Sequence, residues 1–75
     1  MTMLRYVFKE MDGGWYIFLY YPEGNFEAPG LIRVNKFKEG TIISPSAKDF
    51  GGNLYAHHAI RGIDVTKEKG TVAWY

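Results

Sequence analysis

Residues 4–21, LRYVFKEMDGGWYIFLYY, decide the fold of this protein. Asp12-Gly13 stands between two runs that are rich in β-branched and aromatic residues, a pattern typical of a tight β-hairpin. The pairs predicted by a two-residue turn at this site are Glu10 with Trp15, Phe8 with Ile17 and Tyr6 with Leu19. The sequence therefore predicts a sheet whose first two strands are long and strongly aromatic.

The predicted pairing divides the hairpin into two faces, because successive strand residues point to opposite sides of a sheet. The face predicted for the core carries Leu4, Tyr6, Phe8, Ile17, Leu19 and Tyr21. The other face carries Arg5, Val7, Lys9, Tyr16, Phe18 and Tyr20. A three-residue turn would change this division, since a shift of one residue moves every side chain of a strand to the opposite face.

The second face is the candidate binding surface, and its members are Arg5, Lys9, Tyr16, Phe18 and Tyr20. Aromatic rings beside basic groups on a sheet stack single-stranded bases, and the same residue types are enriched in protein interfaces. A third interpretation is that these rings are buried under the 22–30 loop or the last strand. Nine Lys and Arg against eight Asp and Glu give a net charge of +1. This balance lacks the basic excess that neutralises phosphates, so a protein contact is favoured over nucleic acid.

The rest of the chain is predicted to form further strands and one helix. Strand-like runs at 31–38 and 41–44 flank Glu39-Gly40, and a last strand is predicted over 71–75. Over 53–62 the period becomes helical, because the apolar residues fall within an arc of roughly 140°. That apolar stripe consists of Tyr55, Ala56, Ala59, Ile60 and Ile63. Asn53 is the predicted N-cap, and Gly62 is the predicted left-handed residue at the helix end.

These elements predict an α+β fold within a single domain, residues 1–75. We expect an antiparallel β-meander of four to five strands with one short helix, about 53–62, packed on one face and a C-terminal strand at 71–75. Apolar residues make up 47% of the chain and aromatic residues 17%, enough for one core without disulfides. The alternative fold is a small SH3-like barrel in which 53–62 forms a short helical turn.

Residues suited to catalysis or to metal binding are sparse. The chain has no cysteine, which excludes disulfides and thiolate chemistry. His57 and His58 diverge by about 100° on a helix and make a poor chelate, so neither a metal nor a cofactor is predicted. One of them acting as acid or base with Asp49 or Asp64 is the enzymatic alternative. We predict no catalytic residues and a protein that is not an enzyme.

The expected location is the cytoplasm, without contact with a membrane. Arg5, Lys9 and Glu10 precede any long apolar run, which argues against a signal peptide. The longest apolar run, residues 15–21, has seven residues, whereas a membrane-spanning helix needs about twenty. The absence of cysteine suits a reducing compartment.

Several motifs carry a resemblance to a known group of proteins. They are the segment 20–25 (YYPEGN), Pro29-Gly30, the segment 55–59 (YAHHA) and the terminal segment 72–75 (VAWY). With them the chain resembles a group of short bacterial proteins of unassigned function, found mainly in clostridia and their relatives. The resemblance implies a compact cytoplasmic domain with a helix around Tyr55, and it gives no residue a role.

The function predicted from the sequence is a non-enzymatic protein-interaction or self-association module, with a homodimer as one form. Its partner is an unidentified protein or a second copy of the chain. The alternative function is a single-stranded nucleic-acid-binding domain that uses the aromatic and basic face.

Overall fold

Five strands form one antiparallel sheet, and a single helix packs across one face of it. The computed structural model describes residues 1–49 and 51–75. The elements in chain order are β1 (Thr2–Asp12), β2 (Trp15–Pro22), β3 (Gly30–Val34), β4 (Gly40–Ser44), α1 (Leu54–Gly62) and β5 (Lys69–Trp74). The strands lie in the order β4-β3-β2-β1-β5. The predicted α+β class is confirmed, and the described strands form an open sheet rather than a small barrel.

The path of the chain explains why β5 lies beside β1. Strands β1 to β4 pair consecutively as a meander, and α1 then crosses the sheet to return the chain to the other edge. β5 runs antiparallel to β1 from Thr2↔Trp74 to Val7↔Lys69. The last strand therefore begins at Lys69, two residues before the predicted start, and ends at Trp74.

The predicted pairing of the first hairpin is wrong. The turn is formed by Gly13 and Gly14, which have φ angles of 56° and 89°, because a tight hairpin turn favours positive φ at its central residues and glycine adopts it without strain. Trp15 consequently pairs with Asp12. The other observed pairs that replace the predicted ones are Glu10 with Ile17, Phe8 with Phe18 and Tyr6 with Tyr20.

A β-bulge exchanges the two faces of the hairpin. The turn lies one residue later than predicted, so each β1 residue pairs with a β2 residue two positions further along the chain. A shift of two positions by itself would leave the two faces as predicted. The bulge between Phe8 and Glu10 adds one unpaired residue on β1, and this odd shift turns β2 over relative to the first half of β1. Phe18 and Tyr20 therefore share the core face with Tyr6, in place of the predicted Leu19 and Tyr21.

The core lies between this face and the helix. Its buried members are Leu4, Tyr6, Phe18, Tyr20, Ile32 and Val34 from the sheet, with Tyr55, Ala56, Ala59 and Ile63 from the helical segment. The predicted helical stripe is confirmed, with Ile60 partly buried beside it. Phe18 packs edge-on against both Tyr6 and Phe8, with ring centroids 5.5 Å apart in each pair.

The two ends of α1 differ from the prediction in their chemistry. Asn53 occupies the N-cap position with a left-handed φ of 63°, but its side chain makes no capping hydrogen bond. Gly62 is the last helical residue, and it is not left-handed. A Cβ atom at Gly62 would lie 2.6 Å from Cγ1 of Val72, so glycine is needed there for the close approach of α1 to β5.

Candidate functional site

The five residues of the predicted binding face do not share one exposed surface. Phe18 and Tyr20 are fully buried beneath α1, and Tyr16 lies on the same side, partly buried against Phe8 with ring centroids 6.5 Å apart. Arg5 is exposed on the opposite face, and Lys9 is exposed at the bulge, where its Nζ atom lies 3.0 Å from Oε1 of Glu10. The bulge therefore separates the aromatic rings from the basic groups.

The face of the sheet opposite α1 is itself apolar, and we call it the open face. The register brings to it Val7, Ile17, Leu19, Tyr21 and Leu31, with Arg5 and Arg33 among them. Val7 pairs with Leu19, and Leu19 pairs with Leu31, so aliphatic side chains form a row across three neighbouring strands. These three are only partly buried. The sequence carries one signal of this surface in the seven apolar residues 15–21, since an unbroken apolar run indicates a strand that is covered on both faces.

Arg33 and Trp15 shield one end of the open face. The guanidinium carbon of Arg33 lies 4.8 Å from the centre of a Trp15 ring, a cation–π contact. Arg33 Nε also donates a hydrogen bond of 3.0 Å to Oγ1 of Thr41 on β4. Ile17 pairs with Arg33 and is only 5% exposed. Held in this way, the Arg33 stem and the Trp15 ring give the open face a defined shape at this end.

A second aromatic contact borders the other end of the open face. Phe26, from the loop between β2 and β3, is 58% exposed. Its ring centroid lies 4.6 Å from that of Tyr21 and 5.9 Å from the guanidinium carbon of Arg5. Between Phe26 and β5 is a shallow cleft of about 410 Å³, whose lining includes Arg5, Val7, Lys69 and Thr71. The basic groups Arg5 and Lys69 thus lie beside an apolar part of the open face at this end.

The two histidines take separate positions. The imidazole of His58 stacks on Trp74, with ring centroids 3.8 Å apart and an angle of 9° between the planes. Burial, together with the nearby charges of Arg61 and His57, lowers the pKa of His58. His57 is exposed and lines a groove beside β4. His58 is therefore partly buried on a side of the helix that β5 covers with Trp74.

A buried polar network lies under the start of α1. Asp49 accepts hydrogen bonds from the backbone N–H groups of Tyr55 and Ala56, at 2.9 and 3.1 Å, and from the Tyr20 hydroxyl at 2.8 Å. The Tyr20 hydroxyl in turn accepts a bond from the N–H of Ser46. Burial, as the largest cause, and the Asp49 carboxylate raise the pKa of Tyr20. Asp49 therefore supplies the helix cap that was expected from Asn53, and it ties the helix to the centre of the sheet.

A second tyrosine–carboxylate pair joins the helix to the loop after β2. The Tyr55 hydroxyl donates to Oε2 of Glu23 at 2.6 Å, and the same oxygen accepts a bond from the N–H of Met3 at 3.2 Å. Burial and the Glu23 carboxylate raise the pKa of Tyr55 to about 12. The Tyr55 hydrogen bond is the main cause that lowers the pKa of Glu23. Both polar pairs therefore serve to fix the helix on the sheet.

No protein-family model, curated protein or solved structure matches this chain. Among residues 1–49 and 51–75, no three side chains of His, Asp or Glu converge as a metal site. In that same part of the chain, no helix is long and apolar enough to cross a membrane.

Proposed function

We propose that this protein is a non-enzymatic self-association module, and that the open face of its sheet is the surface that binds a second copy. The observation that carries the proposal is the aliphatic row of Val7, Leu19 and Leu31, which pair across three strands on the side away from the helix. An antiparallel sheet with one face in water ordinarily alternates apolar and polar residues. A continuous apolar surface of this kind marks an interaction site.

The dimensions of the open face suit a small, weak dimer. Five strands about 4.8 Å apart, with five residues rising about 3.4 Å each, give a face of roughly 20 by 17 Å. The planar area of each face is about 340 Å², so two faces in contact lie below the roughly 1,200 Å² at the low end of stable interfaces, in the range of weak, transient contacts. We therefore expect a weak dimer, with a dissociation constant on the order of 100 μM. The net charge of +1 adds little repulsion between two copies.

The charges on the open face favour one arrangement of the two copies. Arg5 lies toward one end of β1, whereas Glu10 and Asp12 lie on the same face at the hairpin end. A two-fold axis perpendicular to the strands reverses the strand direction in the second copy and stacks β1 over β1. Each Arg5 then faces the acidic hairpin end of its partner. Such an isologous contact is self-complementary, as two-fold symmetry requires.

Sedimentation velocity over a concentration series tests the dimer. We expect the weight-average mass of the parent chain to rise from monomer toward dimer as the concentration increases. Leu19→Glu should stay monomeric at concentrations where the parent chain is mostly dimeric, because a dimer would bury its carboxylate in an apolar contact. Ala47→Glu adds the same charge at an exposed site outside the open face and should leave the dimer intact. A parent chain that stays monomeric at about 1 mM, above the dissociation constant on the order of 100 μM expected for a contact of this size, would contradict self-association.

A charge exchange tests the arrangement. Arg5→Glu and Asp12→Arg should each weaken the dimer by about tenfold, since each places like charges together. The double variant should recover most of the affinity, because the pair is restored with its signs reversed. Equal weakening in the double variant would refute the antiparallel stacking while leaving the concentration series to decide on the dimer itself.

The proposal also concerns catalysis, nucleic acid and location in the cell. A role without catalysis is supported by the use of His58 in packing against Trp74. The nucleic-acid alternative is less supported, because two of its three stacking rings, Phe18 and Tyr20, are fully buried. We propose a cytoplasmic location because a cysteine-free chain suits a reducing compartment.

A further inference from the structure

A groove of about 580 Å³ runs between the edge strand β4 and the helix α1, on the opposite side of the sheet from the open face. Its apolar lining is provided by Ile42 of β4 and Ile60 of α1, both partly buried. Gly40 and Thr41 continue the strand side of the groove, while His57 and Arg61 continue the helix side. The groove is therefore open along a strand edge and closed below by two aliphatic side chains.

The strand edge offers backbone hydrogen bonds. β4 is the outermost strand of the described sheet and pairs only with β3 there. The outer N–H and C=O groups of an edge strand are a template for one more strand. Recognition of extended peptides by strand addition combines such main-chain bonds with a pocket for alternate side chains. Ile42 and Ile60 supply that pocket.

The charges around the groove are mainly basic. Lys38 lies on the strand side of the groove, and Arg61 lies on the helix side with His57. Neither Lys38 nor Arg61 forms an ion pair with another residue in 1–49 or 51–75. The one carboxylate in the lining, Glu39, accepts a hydrogen bond of 2.9 Å from Nδ2 of Asn35. An occupant that places negative charge beside Lys38 and Arg61 is complementary to this surface.

We infer that this groove binds an acidic, extended peptide segment of a partner protein, which adds to β4 as a sixth strand. An aliphatic side chain of the peptide lies over Ile42 and Ile60. A carboxylate two positions along the peptide lies on the same side, because strand residues alternate with a period of two, and it meets Lys38 and Arg61. This binding is independent of the self-association proposed above, since it uses the helix side and the free edge of the sheet.

The test is a titration with a fluorescein-labelled, end-blocked peptide DTVTD at low salt, followed by fluorescence anisotropy. The charge-reversed peptide KTVTK should bind at least about tenfold more weakly, because it sets like charges beside Lys38 and Arg61. DTVTD carrying N-methyl groups on alternate amides should lose binding as well, because it cannot pair with the strand edge. Amide shifts in an NMR titration should concentrate in residues 40–44 and 57–61.

Matched variants of the protein complete the test. Arg61→Glu should weaken DTVTD binding by about tenfold, whereas Lys48→Glu makes an equal change of charge at an exposed site outside the groove and should have little effect. Equal binding of DTVTD and KTVTK, or undiminished binding of the N-methylated peptide, would overturn the inference. So would NMR shifts confined to the open face. The dimer is measured separately by sedimentation, so Leu19→Glu protein should bind the peptide as the parent chain does.

Discussion

Replacing Asp49 with alanine should destabilise the domain more than any other single change to an acidic residue. The carboxylate of Asp49 accepts hydrogen bonds from the N–H groups of Tyr55 and Ala56 and from the hydroxyl of Tyr20. It therefore caps the helix and satisfies a buried hydroxyl at the same time. Both losses follow from one substitution.

The magnitude follows from these contacts. Loss of a helix cap costs about 0.5–2 kcal/mol. The Tyr20 hydroxyl is on a fully buried residue, and leaving a buried donor without its acceptor costs about 1–3 kcal/mol. We expect Asp49→Ala to lower the free energy of unfolding by about 3 kcal/mol in all. For a domain of this size, that corresponds to a fall in Tm of about 12–24 °C.

The assay is urea and thermal unfolding, followed by far-UV circular dichroism. Asp64→Ala is the matched control, because Asp64 is exposed and accepts hydrogen bonds from Thr66 within its own turn. We expect the control to lose less than about 1 kcal/mol, the range of a surface change.

A double-mutant cycle separates the two contributions. Tyr20→Phe removes the hydroxyl that donates to Asp49, so the destabilisation by Asp49→Ala should be smaller in the Tyr20→Phe background by about 1 kcal/mol or more. A loss of less than about 0.5 kcal/mol for Asp49→Ala, or strict additivity with Tyr20→Phe, would refute the shared role of this carboxylate.

Two further predictions concern the packing of α1 against β5. Because the pKa of His58 is lowered in the folded protein, the unfolded chain takes up a proton first as the pH falls. The free energy of unfolding should therefore decrease below about pH 6.5. The difference between the urea midpoints at about pH 5 and pH 7.5 should be smaller in His58→Gln than in the parent chain. Gly62→Ala should destabilise by about 1–3 kcal/mol, because the new Cβ meets Val72, a β-branched side chain with little freedom to move. In the Val72→Ala background the same change should be neutral or stabilising, and an equal loss in both backgrounds would contradict the close contact.

The sequence did not predict which aromatic residues lie on the candidate surface, because the position of the bulge at Lys9 decides it. Turn chemistry and alternation predict the hairpin, yet the bulge at Lys9 decides which side of β2 faces the helix. A bulge depends on how β1 packs against its neighbours, and no local sequence pattern at Phe8 or Glu10 marks it. For this reason Phe18 and Tyr20 are buried instead of forming a binding face, and Leu19 lies on the open face.

The contacts of α1 were also only partly predictable, because some of them involve residues outside the helix. The apolar stripe of Tyr55, Ala56 and Ala59 predicted the helix and its buried side, since it depends only on local spacing. The cap came from Asp49, outside the helix, rather than from Asn53. The backbone at Asn53 turns left-handed, and only the fold of the preceding segment brings the Asp49 carboxylate to the helix start.

The sequence by itself determined the class of fold, a sheet of four to five strands and the helix, because these depend on residue spacing, turn residues and the apolar pattern along the chain. The tertiary structure alone decided the order of the strands, with β5 beside β1, and the face on which each aromatic ring lies. It also decided that His58 stacks on Trp74, and that position 62 needs glycine because Val72 lies too close for a Cβ atom. These features join residues that are far apart in the chain, and their energies depend on packing between whole elements, which no local pattern contains.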